Sequence, residues 1–519
     1  MGGKYWLRTV LCIVLGLVRI AASLAFVAVS KLLIDIATGA CGMQINSAIW
    51  LLIAVMAVQI LAGVGQSYIE NVNTIRTRNE LTFRVFANAL RSAWGGREKF
   101  HSADTVNRLE EDVRVVVDLL CTRIPDIIIT LCQLAAASVY LVTMAPELMW
   151  ILVLIMVVAA SCSKLFFKTT RRLTDAIRRK DSLLQQHMQE NLQNRVLALT
   201  LIGAERVLSR LGILQKENER LMIKRLDYTS FARALMWLGF RAGYAAALIW
   251  GVLGIRGGTV TFGMMTAFLQ LVAQVQMPIS DLTRHIPSVI HSLTSRDRIK
   301  ELLDLPQEDG DDGVLLEKAP SIEVQNLSFA YPDQKEPVLK NFSYTFEAGK
   351  MTLVEGKTGI GKSTLIRLVL GLLKPSEGTI TVFSRRNYMY VPQGNSLMSG
   401  TVRENLLLAA PSATQRQMED ALGIAAADFV LDLPDGLDTL CGEDGTGLSE
   451  GQCQRIAIAR ALLHEGSILI LDESTSALDS ETEALLMTNL ARYCSGRKTI
   501  IFISHRESVN GYADTVLKL

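Results

Sequence analysis

Charge is scarce in this chain. Asp, Glu, Lys and Arg make up 20% of its 519 residues, against 50% hydrophobic residues, and mean hydropathy is +0.28. A disordered chain needs the opposite balance. An ordinary soluble enzyme is less apolar, so membrane spans are the first thing to seek. The formal net charge is only +2, which lacks the basic footprint of a nucleic-acid binder. Cysteines at metal or redox spacing are also missing. No two of Cys12, Cys41, Cys121, Cys132, Cys162, Cys441, Cys453 and Cys494 stand as CxxC, and several lie in apolar runs. They read as buried or lipid-facing free thiols, which argues against a disulfide framework or a zinc site.

What is present divides in two. Residues 1–305 are dominated by long apolar runs. Residues 320–519 alternate short Val/Ile/Leu strands, Gly-rich turns and amphipathic helices. Between them, 306–319 contains Gln307-Glu308-Asp309-Gly310-Asp311-Asp312-Gly313, an acidic, Gly-containing linker. The predicted fold is therefore multidomain: an all-α six-helix transmembrane domain followed by an α/β domain.

Six stretches, near 9–37, 48–69, 122–144, 149–167, 232–255 and 260–286, are candidate spans. Crossing a bilayer takes about 20 apolar residues. The third and fourth are separated only by Ala145-Pro146-Glu147, and the sixth carries Gln270, Gln274, Gln276 and Pro278. Residues 76–114 hold eight Lys/Arg and 164–225 hold fourteen; 38–47 and 145–148 hold none, and 256–259 only Arg256. Positive charge stays inside, so both ends and both long connections are expected in the cytoplasm, as for an integral protein of the cell inner membrane. The first span is not a cleaved signal peptide, being too long and carrying Arg19 and Lys31. The connections 70–120 and 164–231 keep helical periodicity with few Gly or Pro. They are expected to project the helices roughly 30 Å beyond the membrane. The turns are expected near Trp94-Gly95-Gly96, with a crossing helix through Phe100 to Thr105, and near Leu197 to Glu205 around Gly203. Such turns can dock on a soluble domain.

The segment Gly356-Lys357-Thr358-Gly359-Ile360-Gly361-Lys362-Ser363-Thr364 matches G-x-x-x-x-G-K-[ST]. It follows an apolar strand, Met351 to Val354, and opens an apolar helix, Leu365 to Leu372. Glycines let backbone N–H groups curl around phosphates, and the helix N-terminus adds partial positive charge. Lys362 is expected to reach the β/γ-phosphates and Ser363 to ligate Mg²⁺. Further on, Ser467 to Leu471 reads as a buried parallel strand that delivers Asp472 and Glu473 at its C-terminal end, where such sheets bind ligands. Asp472 suits an Mg²⁺ role and Glu473 that of general base for an attacking water.

Leu448-Ser449-Glu450-Gly451-Gln452, before a helix expected over Arg455 to Leu463, resembles the signature of ABC (ATP-binding cassette) proteins, with Glu450 where the family usually has Gly. Tyr331, in Phe329-Ala330-Tyr331-Pro332, resembles the residue that stacks on adenine. Gln393, in Val391-Pro392-Gln393, resembles the Q-loop glutamine. Ser476-Ala477-Leu478-Asp479 resembles the D-loop, and His505, after a strand at Thr499 to Ile503, the switch histidine. Seven elements stand in one order over about 175 residues. Six spans before one cassette look like an exporter half-transporter, and Thr439 to Gly445 resembles the exporter-specific loop that contacts the membrane domain. Two departures stand beside the likeness: little room for an amphipathic helix before the first span, and only fourteen residues after His505.

The resemblance implies ATP and Mg²⁺ as cofactors. Tyr331, the loop Gly356 to Thr364, Ser449, Gly451, Gln452 and Asp479 would contact nucleotide. Ser363, Gln393 and Asp472 would serve the metal, and Glu473, His505, Lys362 and Gln393 the chemistry. It also implies a second copy of the chain, or a homologous half-transporter, because each nucleotide is sandwiched between the phosphate loop of one cassette and the signature of the other. Membrane lipid and a small amphipathic substrate are the remaining expected partners; nucleic acid is not one. Arg19 and Arg241 raise the question of cargo contact. For Arg19 the plainer expectation is snorkelling, or pairing with Glu70. Gln270, Gln274 and Gln276 line a polar path or join helices. A membrane-tethered ATPase that gates a partner, or an importer of the same architecture, are the alternatives to export.

Overall fold

The computed structural model describes residues 3–40, 42–93, 102–308, 313–331, 336–357, 359–394, 396–442 and 447–519. The chain forms two compact units, one of residues 1–87 and 102–304, the other of 88–101 and 305–519.

The first unit is helical. Helices α1 (Gly3–Ala37) and α2 (Ile45–Arg91) come first. A continuous helical run follows, from α3 (Ser102–Asn107) through α4 (Val113–Asp118) to α5 (Ile124–Met144). Its π-turns, Arg108–Asp112 and Leu119–Arg123, join these pieces without breaking the helix. Helix α6 (Pro146–Gln193) leads to a short α7 (Arg195–Leu197), then α8 (Ala204–Arg256) and α9 (Phe262–Leu303). Pro146 sits at the start of α6, where the missing N–H is no loss. Among the described residues, five helical stretches are long and apolar enough to cross a bilayer: Lys4–Ala37, Ile45–Arg91, Asp104–Met144, Ala204–Arg256 and Phe262–Ile279. The fourth expected span, 149–167, lies within α6, and most of its side chains fall outside the described residues.

The spans do run on as long helices. Trp94-Gly95-Gly96 and Phe100 lie outside the described residues; from Ser102 the chain is already part of the run into α5. The second turn comes at two points. Asn194 ends α6, and Gly203, at φ +82°, opens α8. Buried Arg108 bonds to Asp104 (2.7 Å), Glu301 (2.8 Å) and the Arg298 carbonyl (3.0 Å), while Arg298 pairs with Asp104 and Asp112. The first π-turn is thus tied to the end of α9. Elsewhere Phe268 of α9 packs edge-on against Trp250 of α8 within an apolar cluster that includes Val27, Leu141 and Ala247.

Two polar questions are answered within this unit. Gln274 donates to Ser23 on α1 (3.0 Å) and Gln276 to the Phe240 carbonyl on α8 (3.3 Å), so both join helices. Arg19, half-buried against Gly63 of α2, makes no ion pair or hydrogen bond among the described residues, and Glu70 lies near Thr122 instead. The expected Arg19–Glu70 pair is not formed, because Glu70 faces the second π-turn. Arg241 is exposed on α8.

In the second unit, residues that enter the linker are already engaged. Ala93 donates to the Pro306 carbonyl (2.8 Å), Glu308 to the Arg91 carbonyl (2.9 Å), and Arg385 pairs with Glu308 (2.5 Å). Strands β1 (Ile322–Phe329), β2 (Leu339–Phe346) and β4 (Glu377–Ile380) form an antiparallel sheet in the order β2-β1-β4. The central sheet is parallel. It comprises β3 (Met351–Glu355), β5 (Tyr388–Val391), β8 (Ile468–Asp472), β9 (Thr499–Ile503) and β10 (Thr515–Lys518) in the order β10-β3-β9-β8-β5. A small ladder pairs β6 (Gly400–Thr401) with β7 (Leu440–Cys441); β7 belongs to the stretch read as the exporter-specific loop, whose Glu443-Asp444-Gly445 lie outside the described residues.

Successive residues of the central strands enter opposite cores, as a pleat requires. Leu469, Leu471, Ile500 and Phe502 pack with α13 (Glu450–Leu463), α11 (Val402–Leu407) and α12 (Gln415–Ile424). Ile468, Ile470, Ile501 and Ile503 pack with α10 (Lys362–Val369) and the antiparallel sheet. Helix α14 (Ser480–Cys494) adds Leu486, Met487 and Leu490 to the first core. A sheet buried on both faces explains the continuous apolar strands of the sequence. Ile470 is fully buried. Ile470→Ala removes its packing and lowers stability by about 2–5 kcal/mol. A drop in the thermal midpoint of the purified protein checks this.

Candidate functional site

Strand order decides where the chemistry meets. The segments leaving β3, β9, β8 and β5, four neighbouring parallel strands, carry the phosphate loop, His505, Asp472-Glu473 and Gln393 respectively. All four leave from C-terminal strand ends, so residues far apart in sequence reach one edge.

The loop from Gly356 closes on α10. Gly361 is the residue before the helix and has φ +113°; a Cβ there would sit 2.9 Å from Val338 Cγ1. Glycine is therefore required twice, by backbone and by space. Gly359, at φ +86°, has nothing within 4 Å of where a Cβ would stand. Lys357, Gly359 and Ile360 are exposed, Gly356 and Ser363 half-buried, Gly361, Lys362 and Thr364 buried. Thr358 lies outside the described residues. Such an open, glycine-lined turn before a helix N-terminus fits a triphosphate.

Lys362 donates to the Gly356 carbonyl (2.7 Å), and its Nζ stands 2.9 Å from His505 Nε2. The same ring nitrogen is 3.0 Å from Glu473 Oε1, and Gln393 donates to Glu473 Oε2 (2.7 Å). Four sequence-predicted residues thus form one chain of contacts. With a proton, His505 Nε2 donates to Glu473; without it, the nitrogen accepts from Lys362. Glu473 has φ +49°, in the left-handed region, and its N–H donates to the Ile503 carbonyl (3.1 Å). A non-glycine residue held there carries local strain, of the kind that gathers at functional sites.

Asp472 is 4% exposed. Burial, then the neighbouring Glu473 charge, pushes its carboxyl above the usual range, against the opposing pull of Arg367 and Lys362. Tyr390 on β5 lies near it, and burial, then the Asp472 charge, pushes the phenol up to about 12. The sequence analysis does not single out Tyr390, which belongs to none of the motifs and gains its place from the neighbouring strand β8. Tyr331 packs edge-on against Phe329, sits 3.3 Å from Thr364 Oγ1 and accepts from Arg367 (2.9 Å). It is thereby placed beside the helix that opens from the phosphate loop.

The signature residues differ from expectation in one respect. The helix expected from Arg455 begins at Glu450, because Ser449 and Gln452 form a capping box: Ser449 accepts from the Gln452 N–H (3.2 Å) and donates its own N–H to Gln452 Oε1 (2.8 Å). Gly451 is buried, and a Cβ there would lie 2.9 Å from the Ala477 carbonyl oxygen. Glu450 is exposed in the first turn, where a carboxylate suits the helix dipole. Asp479 caps α14 by accepting from the Thr482 N–H (2.9 Å), and such bonds hold its carboxyl below the usual range. Neither Ser449, Gly451, Gln452 nor Asp479 is hydrogen-bonded to the phosphate loop of its own chain among the described residues. Gly451 packs against Ala477 instead, and Asp479 directly follows the loop 476–478. Arg506, Gln454 and Glu483 complete that neighbourhood. Only the position of Arg506 directly after His505 pointed to any of them.

Two family models match the chain. One, "ABC transporter transmembrane region", covers residues 9–279, and the other, "ABC transporter", covers 339–476. An ATP-dependent lipid A-core flippase of Syntrophus aciditrophicus is 34% identical over 59% of this chain and 53% of its own length. The cyclolysin secretion/processing ATP-binding protein CyaB of Bordetella pertussis is 35% identical over 53% of this chain and 40% of its own. The chain's match thus spans about half the length or less of these relatives. ATP-binding cassette sub-family B member 10, mitochondrial, of Mus musculus is 29% identical over 89% of this chain and 66% of its own. A solved structure, described as that of a bacterial Atm1-family ABC exporter with ATP bound, shares the fold with a TM-score of 0.81 at 24% identity, over 100% of this chain and 94% of that one.

The raised Asp472 value has a testable sign. The folded protein binds the proton more tightly than the unfolded chain, so stability falls as pH rises from about 3.9, the unfolded value, through the folded one. Asp472→Asn escapes that loss. Without nucleotide, its melting temperature should exceed that of the parent by more at pH 8 than at pH 4, measured by scanning fluorimetry.

Proposed function

The chain belongs to the ABC transporter family, an integral membrane protein with an ATP-binding cassette, and from that premise we propose that it is one half of an ATP-driven exporter that works as a pair of identical chains. The observation that carries this reading is the contact chain Lys362–His505–Glu473–Gln393 at one edge of the parallel sheet, in a polypeptide that also supplies membrane-crossing helices.

In this reading the Gly356–Thr364 loop cradles the phosphates of ATP and Tyr331 stacks on adenine. Ser363, Gln393 and Asp472 are the residues that would hold Mg²⁺, which fits a buried carboxylate at a strand end and a half-buried hydroxyl at a helix start. Bound there, the metal neutralises charge on the phosphate oxygens. Glu473 takes the proton of the attacking water. Its contact to Gln393 orients the carboxylate, and His505 stands ready to stabilise the transferring phosphoryl group. Lys362 leaves its contacts with Gly356 and His505 to meet the phosphates.

Ser449 and Gly451 present the start of α13, and among the described residues neither hydrogen-bonds to the phosphate loop of its own cassette. A second copy placed opposite would bring that helix start to the partner's nucleotide, with Gln452 holding Ser449 in place and Asp479 fixing the adjoining loop. The signature helix and the phosphate loop then complete each other across the pair. Closure of the cassettes drives the membrane helices from inward-open to outward-open, and hydrolysis resets them. The excess of Lys and Arg in the long connections supports a cytoplasmic position for the cassettes.

The cargo is a hydrophobic or amphipathic molecule. The name of the relative described as a lipid A-core flippase supports a lipid-like cargo. Arg19, half-buried on an apolar helix long enough to cross a membrane and without an ion-pair partner among the described residues, supports an anionic group on it.

Glu473→Gln should keep ATP affinity within about threefold while turnover falls roughly 100-fold or more, the usual size of a lost general base. Nucleotide binding and phosphate release measured on the same preparation check this; normal turnover removes Glu473 from the base role. Arg19→Ala should lower the stimulation of turnover by anionic amphiphiles more than it lowers turnover without them. Equal losses, in reconstituted vesicles, would leave Arg19 a structural residue.

A further inference from the structure

The loop that follows Glu473 is short, buried and held from outside itself. Ser474 and Thr475 are essentially inaccessible. Ser476 donates its N–H to the Glu473 carbonyl (3.3 Å) and Leu478 to the Thr475 carbonyl (3.1 Å), so the loop winds into consecutive turns. The carbonyls of Ser476 and Leu478 are engaged elsewhere. Both are taken by Arg506: its Nη2 donates to Ser476 O and its Nη1 to Leu478 O, each at 2.7 Å. The guanidinium is anchored in turn by Glu483, 2% exposed, at 3.3 Å. Glu483 also accepts from Thr475 (2.8 Å) and Ser508 (2.9 Å). From the other side Gln454 of the signature helix grips the same loop, donating to Ser476 Oγ and accepting the Ala477 N–H, both at 3.3 Å.

We propose that Arg506 is a positioning residue for hydrolysis: its guanidinium fastens the loop after Glu473 to the segment that carries His505. The two groups flanking the reaction sit on different strand ends, β8 and β9. The contact between their side chains is a single 3.0 Å approach. The Glu473 N–H bond to the Ile503 carbonyl ties the strand ends themselves, and the Arg506 fork ties the loop beyond them, one residue from His505 and three from Glu473. Because Gln454 joins the same loop to α13, a shift at the signature end is felt at both. Only a planar group with several fixed N–H directions can serve two carbonyls and a carboxylate together. A lysine ammonium keeps the charge beside Glu483 and cannot hold both carbonyls in that geometry.

The inference rests on Glu473 being the base, so its test runs beside the Glu473→Gln variant. In full-length protein reconstituted in lipid, Arg506→Lys and Arg506→Ala should lower kcat for ATP roughly 10- to 100-fold, the scale of a ~1 Å misplacement, with KM within about threefold. Ser508→Ala removes a partner of Glu483 and leaves both carbonyl contacts, and should keep kcat within about twofold of the parent, as a peripheral hydrogen bond allows. If Arg506→Ala does not fold, Arg506→Lys decides alone. Parental kcat in Arg506→Lys overturns the proposal. So does an equal loss of kcat in Ser508→Ala, because the effect then comes through the buried carboxylate. Normal turnover in Glu473→Gln overturns the base reading itself, whatever Arg506 does.

Discussion

A single imidazole nitrogen holds the site together. His505 Nε2 stands between the ammonium of Lys362 and the carboxylate of Glu473, at 2.9 and 3.0 Å. That position exists only because β9 lies between β3 and β8 in the sheet. Exchange the order of those strands and the three side chains part. The buried Val/Ile/Leu pattern of the strands therefore serves the chemistry as directly as the polar residues do. It fixes the spacing of strand ends, and the strand ends fix the distances.

Much of this was legible in the sequence, and for a clear reason. The phosphate loop, the Asp472-Glu473 pair and His505 each follow a run of apolar residues that can only be a buried strand, so their placement at strand ends could be read before their partners were known. The strand at Thr499 to Ile503 was read with the bounds the structure has. The helix expected over Arg455 to Leu463 begins earlier, at Glu450. The Ser449/Gln452 spacing is a capping box, and that pattern was there to be seen. Tyr390, Gln454 and Glu483 could not be found this way. Their roles depend on which loop or strand packs beside them, and periodicity carries no such information.

The membrane unit shows the same division. The long helices and the break at Gly203 follow from composition, since few residues interrupt a helix there. Gln274 and Gln276 looked equally suited to lining a path or bonding helices. Only the facing Ser23 hydroxyl and Phe240 carbonyl decided between these. Two π-turns between Ser102 and Met144 were invisible in the pattern, because an inserted residue shifts a helical face by a fraction of a turn without introducing any breaker.

The left-handed backbone at Glu473 has a consequence for how this protein can change. A conformation of this kind costs a side-chain-bearing residue about 1–3 kcal/mol, a penalty glycine escapes. Folding alone would favour glycine at 473, and a chain released from any need to turn over nucleotide would gain thermal robustness by adopting it. With Glu473 as the proposed base, durability and turnover pull on this one position in opposite directions.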